Sequence, residues 1–164
     1  KQVIQYLKKI LERMELTLNE EKTKIVNVWE ETFDFLGFTI GYRKGFKGKR
    51  YLSITPGKKA EKRFRRNIDK YLKESLYFND AKLTKGLNEK IRGWTGYFTI
   101  PGVSHTSRSR RSLSYYVGIK LEWYFQRKSQ KRKWLSNQKA VHHLMKQHGL
   151  INMAKTPSLK LANV

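Results

Sequence analysis

ThrProGlyLysLysAlaGluLysArgPheArgArg, residues 55–66, is where the chain changes its period. Before it, Tyr51, Ser53 and Thr55 alternate with Leu52 and Ile54, the two-residue repeat of a strand. After it, Ala60, Phe64, Ile68, Tyr71 and Leu72 recur at helical spacing, with Lys59, Lys62, Arg66, Lys70 and Lys73 on the opposite side. Pro56 and Gly57 mark the break. The expectation is an α+β fold: a small antiparallel sheet with one helix, then a mainly α-helical bundle.

Upstream, Val3, Ile4, Leu7, Ile10, Leu11 and Met14 predict an amphipathic helix with one face packed on something. Asn19 to Lys22 reads as a polar turn. The β-branched Ile25, Val26 and Val28, then Phe33, Phe35, Phe38 and Ile40, predict short antiparallel strands, and residues 44–49, with GlyPheLysGly at their centre, predict a hairpin tip. The chain begins inside the first helix pattern with no initiator Met, so a fragment of a longer protein is expected.

Downstream, Leu83, Leu87, Ile91, Trp94 and Phe98 predict a second helix of the bundle after Asp80, ended by Pro101 and Gly102. A Ser, Thr and Arg-rich loop at 104–112 leads to a third, carrying Leu113, Tyr116, Val117, Leu121, Tyr124 and Phe125. A fourth runs from Ser136, an N-cap residue, to Gly149, a C-terminal cap glycine. Residues 151–164 read as a tail or linker. The domains expected are therefore 1–56, 57–150 and that tail.

Thirty-six Lys and Arg against thirteen Asp and Glu give a formal charge of +23, costly in self-repulsion unless a polyanion binds. Residues 1–34 hold six basic and seven acidic side chains, whereas residues 35–164 hold thirty basic and six acidic. Nucleic acid is the expected partner of that second part. Anionic membrane is the rival, but no apolar run approaches the roughly 20 residues of a spanning helix. The absence of cysteine removes disulfides and thiolate zinc sites. With no signal peptide visible, the expected location is intracellular, in bacterial cytoplasm or an organelle.

Two-metal phosphoryl transfer needs carboxylates that share ions about 4 Å apart. The acidic doublets Glu20/Glu21 and Glu30/Glu31 sit in polar turns, so the chain by itself is not expected to polymerise or cut nucleic acid. His142, His143 and His148 raise a metal reading, but adjacent helical histidines point about 100° apart; a surface helix, with no metal, is the reading taken.

LeuThrLeuAsnGluGluLysThrLysIleVal (16–26) followed by PheAspPheLeuGlyPheThrIle (33–40) resembles the palm segment just beyond the TyrAlaAspAsp-type box of group II intron reverse transcriptases and their non-LTR relatives. LeuAsnGluLysIleArgGlyTrpThrGlyTyrPhe (87–98), with residues 55–66, is similar to the thumb or maturase-specific region, whose hallmark maps to Asn88, Arg92, Gly93, Trp94 and Tyr97. The matches cover roughly residues 1–135. The resemblance implies that Lys22 lies near the incoming nucleotide's phosphates and that Phe35, Leu36 and Gly37 form the primer grip. Retron enzymes differ at the grip. It implies Mg2+ in a catalytic palm that this chain lacks, and as partners an RNA template and DNA primer duplex, group II intron RNA and the rest of the reverse transcriptase.

Bland readings stand beside these. Lys22 suits a solvated loop, Gly37 a β-bulge, Trp94 the core before a base-stacking platform, and Gly93 a helix crossing or a phosphate contact. The residues expected to bind nucleic acid are Lys59, Lys62, Arg66, Lys70, Lys73, Arg92, Arg108, Arg110 and Arg111, then Arg127, Lys128, Lys131, Arg132 and Lys133. The row from Lys59 to Lys73 spans about 21 Å, enough to follow several phosphates. Two other classes remain open: a non-enzymatic basic RNA-binding protein of ribosomal type, and a reverse transcriptase of a defence or diversification system.

Overall fold

The structure is a computed structural model that describes residues 2–19, 23–129 and 137–155. It is α+β, with a three-stranded antiparallel sheet and five helices among those residues. The order is α1 (Gln2–Arg13), β1 (Phe33–Phe35), β2 (Phe38–Lys44), β3 (Arg50–Pro56), α2 (Lys58–Glu74), α3 (Asp80–Phe98), α4 (Ser107–Ser129) and α5 (Asn137–His148). The hairpin tip at 44–49 and the change of period at Pro56 and Gly57 fall where the sequence puts them. Ser136 and residues 156–164 lie outside the described residues.

The apolar stripes explain how the helices meet. Phe64, Ile68 and Leu72 of α2 are buried with Leu83, Leu87, Ile91, Trp94 and Phe98 of α3 and with Leu113, Val117 and Leu121 of α4. Helix α2 packs on α3 and α4, and α5 closes the ring through Leu144. Burying each large side chain contributes about 1.5–3 kcal/mol. The close crossing of α2 and α3 lies at Gly86, where an added Cβ would collide with the Tyr71 ring. It does not lie at Gly93, which has open space around it.

Three sequence expectations change. Residues 23–27 form no strand: Ile25 is 80% exposed, and residues 28–32 instead lie against β2, with the Tyr42 N–H donating to the Val28 carbonyl at 3.1 Å. The Arg-rich stretch from Ser107 onward is the first part of α4 rather than a loop, because Thr106 and Ser109 continue the buried stripe of Leu113 and Val117 back toward the N-terminus. The start of the supposed tail is core: Met153 is buried and Ile151 half-buried, continuing from buried Leu150, and buried Asn88 holds that segment from both sides. Its amide donates to the Gly149 carbonyl at 3.0 Å and its carbonyl accepts from the Ile151 N–H at 2.9 Å. Helix α1 keeps its period, but Val3, Tyr6 and Met14 are exposed, so no described element covers its apolar face.

Two outcomes follow from these contacts. Asn88→Ala leaves the Gly149 carbonyl and the Ile151 N–H without their partner, and denaturant unfolding should show a loss of about 2 kcal/mol or more. Burial, with the Asp80 carboxylate nearby, pushes the Tyr124 hydroxyl up to about 12 while it donates to the Ser75 carbonyl at 2.7 Å. The folded state therefore holds this proton more tightly than the unfolded chain. Stability is fully present below about pH 10 and falls as pH rises toward 12. Urea midpoints measured across that window should fall less steeply for Tyr124→Phe than for the wild type.

Candidate nucleic-acid interface

Leu36 and Gly37 form the two-residue turn between β1 and β2, with φ of 48° and 83°. Two successive positive φ values define the type I′ hairpin turn, whose twist matches that of the strands it joins. Gly37 is thus a turn residue and not a bulge. Leu36 takes a conformation that costs an L-residue roughly 1–2 kcal/mol, and its side chain is 67% exposed. The turn is held from outside: the Gly57 N–H donates to the Gly37 carbonyl at 2.8 Å, and the Tyr97 hydroxyl donates to the Leu36 carbonyl at 2.9 Å. Phe38, next along, packs edge-on against Phe98, ring centroids 5.0 Å apart.

That turn closes one end of a groove of about 700 Å³ between α2 and α3. Its floor is apolar, with Phe64, Trp94 and Phe98. Its walls carry Lys59, Arg63 and Asn67 from α2 and Lys90, Gly93 and Tyr97 from α3. Lys90, Gly93 and Tyr97 share one face of α3 by their spacing. Gly93 leaves that wall bare, since a Cβ built there meets nothing within 4 Å. Trp94 is core, as its stripe position implies, yet its buried indole N–H has no acceptor among the described residues. A group entering the groove could meet positive charge, bare helix backbone and an apolar base together.

The cationic row stands on the outer face of α2. Lys59, Lys62, Arg66, Lys70 and Lys73 are all exposed, and only Lys70 is ion-paired among the described residues, at 3.8 Å to Glu74. An exposed i,i+4 pair of this kind contributes a few tenths of a kcal/mol and leaves the lysine available. On the other flank of α2 a second hollow collects Lys73, Lys120, Trp123 and Arg127 around Asp69. Asp69 is already satisfied, by Lys120 at 3.1 Å and the Tyr116 hydroxyl at 2.6 Å. Burial, reinforced by that bond, pushes the Tyr116 hydroxyl up and keeps it a donor.

The remaining expected residues scatter. Arg92 is exposed on α3 outside the groove. Arg108 and Arg111 are exposed and Arg110 is half-buried in the first turns of α4. Three cations there oppose the helix macrodipole, each at a cost of about 0.3–1 kcal/mol that a bound anion would offset. Lys128 serves the fold instead, donating to the Phe78 carbonyl at 2.6 Å beside Asp80. Lys22, Lys131, Arg132 and Lys133 lie outside the described residues. The sequence reading missed Arg63, Lys90 and Lys120. Each sits at the edge of an apolar stripe, where helical position without the neighbouring helix does not reveal a shared groove.

His143 faces Asp80, with Nε2 3.2 Å from a carboxylate oxygen, and its ring meets His148 edge-on at 6.0 Å. Ligand atoms of Asp80, His143 and His148 lie within 4.8 Å of one another, the one such group among the described residues. Asp80 is also ion-paired with Lys128 at 3.5 Å, so the cluster reads as a tie between the start of α3 and the ends of α4 and α5.

Leu36→Asn places a residue suited to positive φ in the turn and should raise unfolding stability by about 1 kcal/mol, measured by urea titration; a loss of stability would contradict the strain assigned to Leu36. No family model matches the chain, and no curated protein matches it.

Proposed function

We propose that the chain is the nucleic-acid clamp of an RNA-directed DNA polymerase that also acts as a group II intron maturase. Residues 1–56 are the C-terminal part of the palm and 57–150 are the thumb, joined at Gly57. The observation that carries the reading is the union of an apolar-floored groove with the Leu36–Gly37 turn at its end and the α2 cationic row along its side. The resemblance assigns that turn to the primer grip and that row to the thumb. Its palm-like and thumb-like sequence regions meet at the Tyr97 bond to Leu36, between residues 61 positions apart in the chain.

The geometry supports a division of labour. Exposed lysines and arginines at helical spacing neutralise successive phosphates of a template and primer duplex and release counterions. The turn, fixed by Gly57 and Tyr97, presents Leu36 as a rigid contact for the primer end. The Arg-bearing start of α4 adds cations for intron RNA, whose own chemistry does the splicing in this family. Carboxylates for two-metal catalysis, with their Mg2+, belong to the catalytic part of the palm, and no step of incorporation is assigned to residues here. Helices among the described residues are not long and apolar enough to cross a membrane.

Replacing Lys62, Arg66 and Lys73 together by Gln keeps helix propensity and the Phe64, Ile68 and Leu72 stripe. If each contacts one duplex phosphate, the slope of log affinity against log salt falls by about 0.9 per contact, roughly 2 to 3 units in all. Lys8, Lys9 and Arg13 to Gln, on α1, should change it far less. Equal slopes for the α2 triple variant and the wild type on one labelled hairpin would mean that this face is only solvated.

A further inference from the structure

Residues 35–60 contain seven Lys and Arg and no Asp or Glu, and five of those cations, Arg43, Lys44, Lys47, Lys49 and Arg50, crowd into the tip of the β2–β3 hairpin. The tip is an ordered turn. The Gly48 N–H donates to the Gly45 carbonyl at 3.0 Å, the Gly45 N–H donates to the Lys49 carbonyl at 2.9 Å, and Gly48 takes φ of 75°. This bonding puts Phe46 and Lys47 at the apex. Phe46 is 107% exposed, so its ring touches essentially nothing of its own chain. A single exposed aromatic is ordinary on a protein surface. A ring held clear on a hydrogen-bonded turn, with five cations within four residues of it in sequence and no acid in the hairpin, is not explained by the fold.

The strands just below the tip of the same hairpin carry further aromatic surface. Trp29 stacks flat on Tyr42, centroids 3.9 Å apart and 8° from parallel, and Arg50 reaches the Trp29 carbonyl at 3.4 Å. On the opposite face Tyr51 leans on His105, whose N–H donates to the Ile54 carbonyl at 2.7 Å and ties β3 to the helical part. The hairpin is therefore braced along its strands and bare at its apex.

We infer that the β2–β3 hairpin tip is a second nucleic-acid contact, in which Phe46 stacks on an unpaired nucleobase while the flanking lysines and arginines hold the adjacent phosphates. Stacking needs only the π-face every base offers, and clustered cations supply the affinity for the backbone. Folded duplexes give the ring no free face, so the ligand class is a single-stranded segment, loop or strand end. This inference shares with the proposed function only the assumption that the chain binds nucleic acid; it does not use the α2 face.

The test uses the full chain and three labelled probes: an RNA hairpin with an unpaired loop carrying 2-aminopurine, the same loop in DNA, and a blunt duplex. Phe46→Ala should lose about 5- to 150-fold in affinity for a looped probe, the range measured for one base stacked on an aromatic ring, and leave the blunt duplex unchanged. Phe46→Trp should restore it with 2-aminopurine quenching, and whichever of the RNA and DNA loops loses more identifies the strand recognised. Phe46 makes no packing contact, so unfolding midpoints of all variants should coincide. Equal affinity of wild type and Phe46→Ala for both loops, with duplex binding intact, overturns the hairpin inference and leaves the α2 clamp standing. Wild-type protein that binds none of the probes overturns both. Phe46-dependent capture by phosphatidylserine vesicles without loop binding assigns the tip to a lipid surface and also overturns the inference.

Discussion

Two hydrogen bonds to the carbonyls of neighbouring turn residues govern the arrangement of this molecule. The Gly57 N–H and the Tyr97 hydroxyl, from the entry to α2 and the end of α3, close on Gly37 and Leu36. Each bond contributes about 1 kcal/mol in net terms, which is modest beside the burial of the aromatic side chains behind them. Their effect is geometric. They seat a small sheet on the end of a helical bundle and keep a leucine at positive φ. With Phe38 against Phe98 they also fix the end wall of the groove between α2 and α3.

From that seat the charges acquire direction. The cationic row of α2, the groove wall of Lys90, Gly93 and Tyr97, and the basic hairpin all belong to parts whose relative placement depends on the same junction. A flexible joint would leave the same net charge spread over unrelated orientations. A fixed one presents a groove beside a line of phosphate-sized contacts. Asn88 plays the matching role at the far side, drawing the chain after α5 back onto α3.

Where structure follows from local period, the sequence was a good guide. The stripes of α2 and α3, the hairpin tip and the break at Pro56 and Gly57 needed no knowledge of distant partners. Errors arose where composition masked period or where a partner was remote. Thr106 and Ser109 occupy buried positions of a helical stripe, but as hydroxyl residues among arginines they looked like a loop. Ile25 and Val26 have strand composition and no strand to pair with. Burial of Leu150 and Met153 depends on Asn88, more than 60 residues earlier, and nothing local to the tail announces it. The site was legible as a set of basic positions on one helix. The groove was not, because Arg63 and Lys90 come together only through the crossing of α2 and α3. Leucine in a type I′ turn was also hidden, since sequence favours Asn or Gly at that position.

The central claim is that nucleic acid lies along α2 and into the groove ending at the turn. Amide-resolved NMR of the labelled full chain, titrated with a short RNA/DNA hybrid, tests it most directly. The account predicts shifts concentrated at Leu36 and Gly37, along the outer face of α2 from Lys59 to Lys73, and at Lys90, Gly93 and Tyr97, with α1 and α5 little changed. Shifts confined to α1 or α5, or none at saturating hybrid, would contradict it.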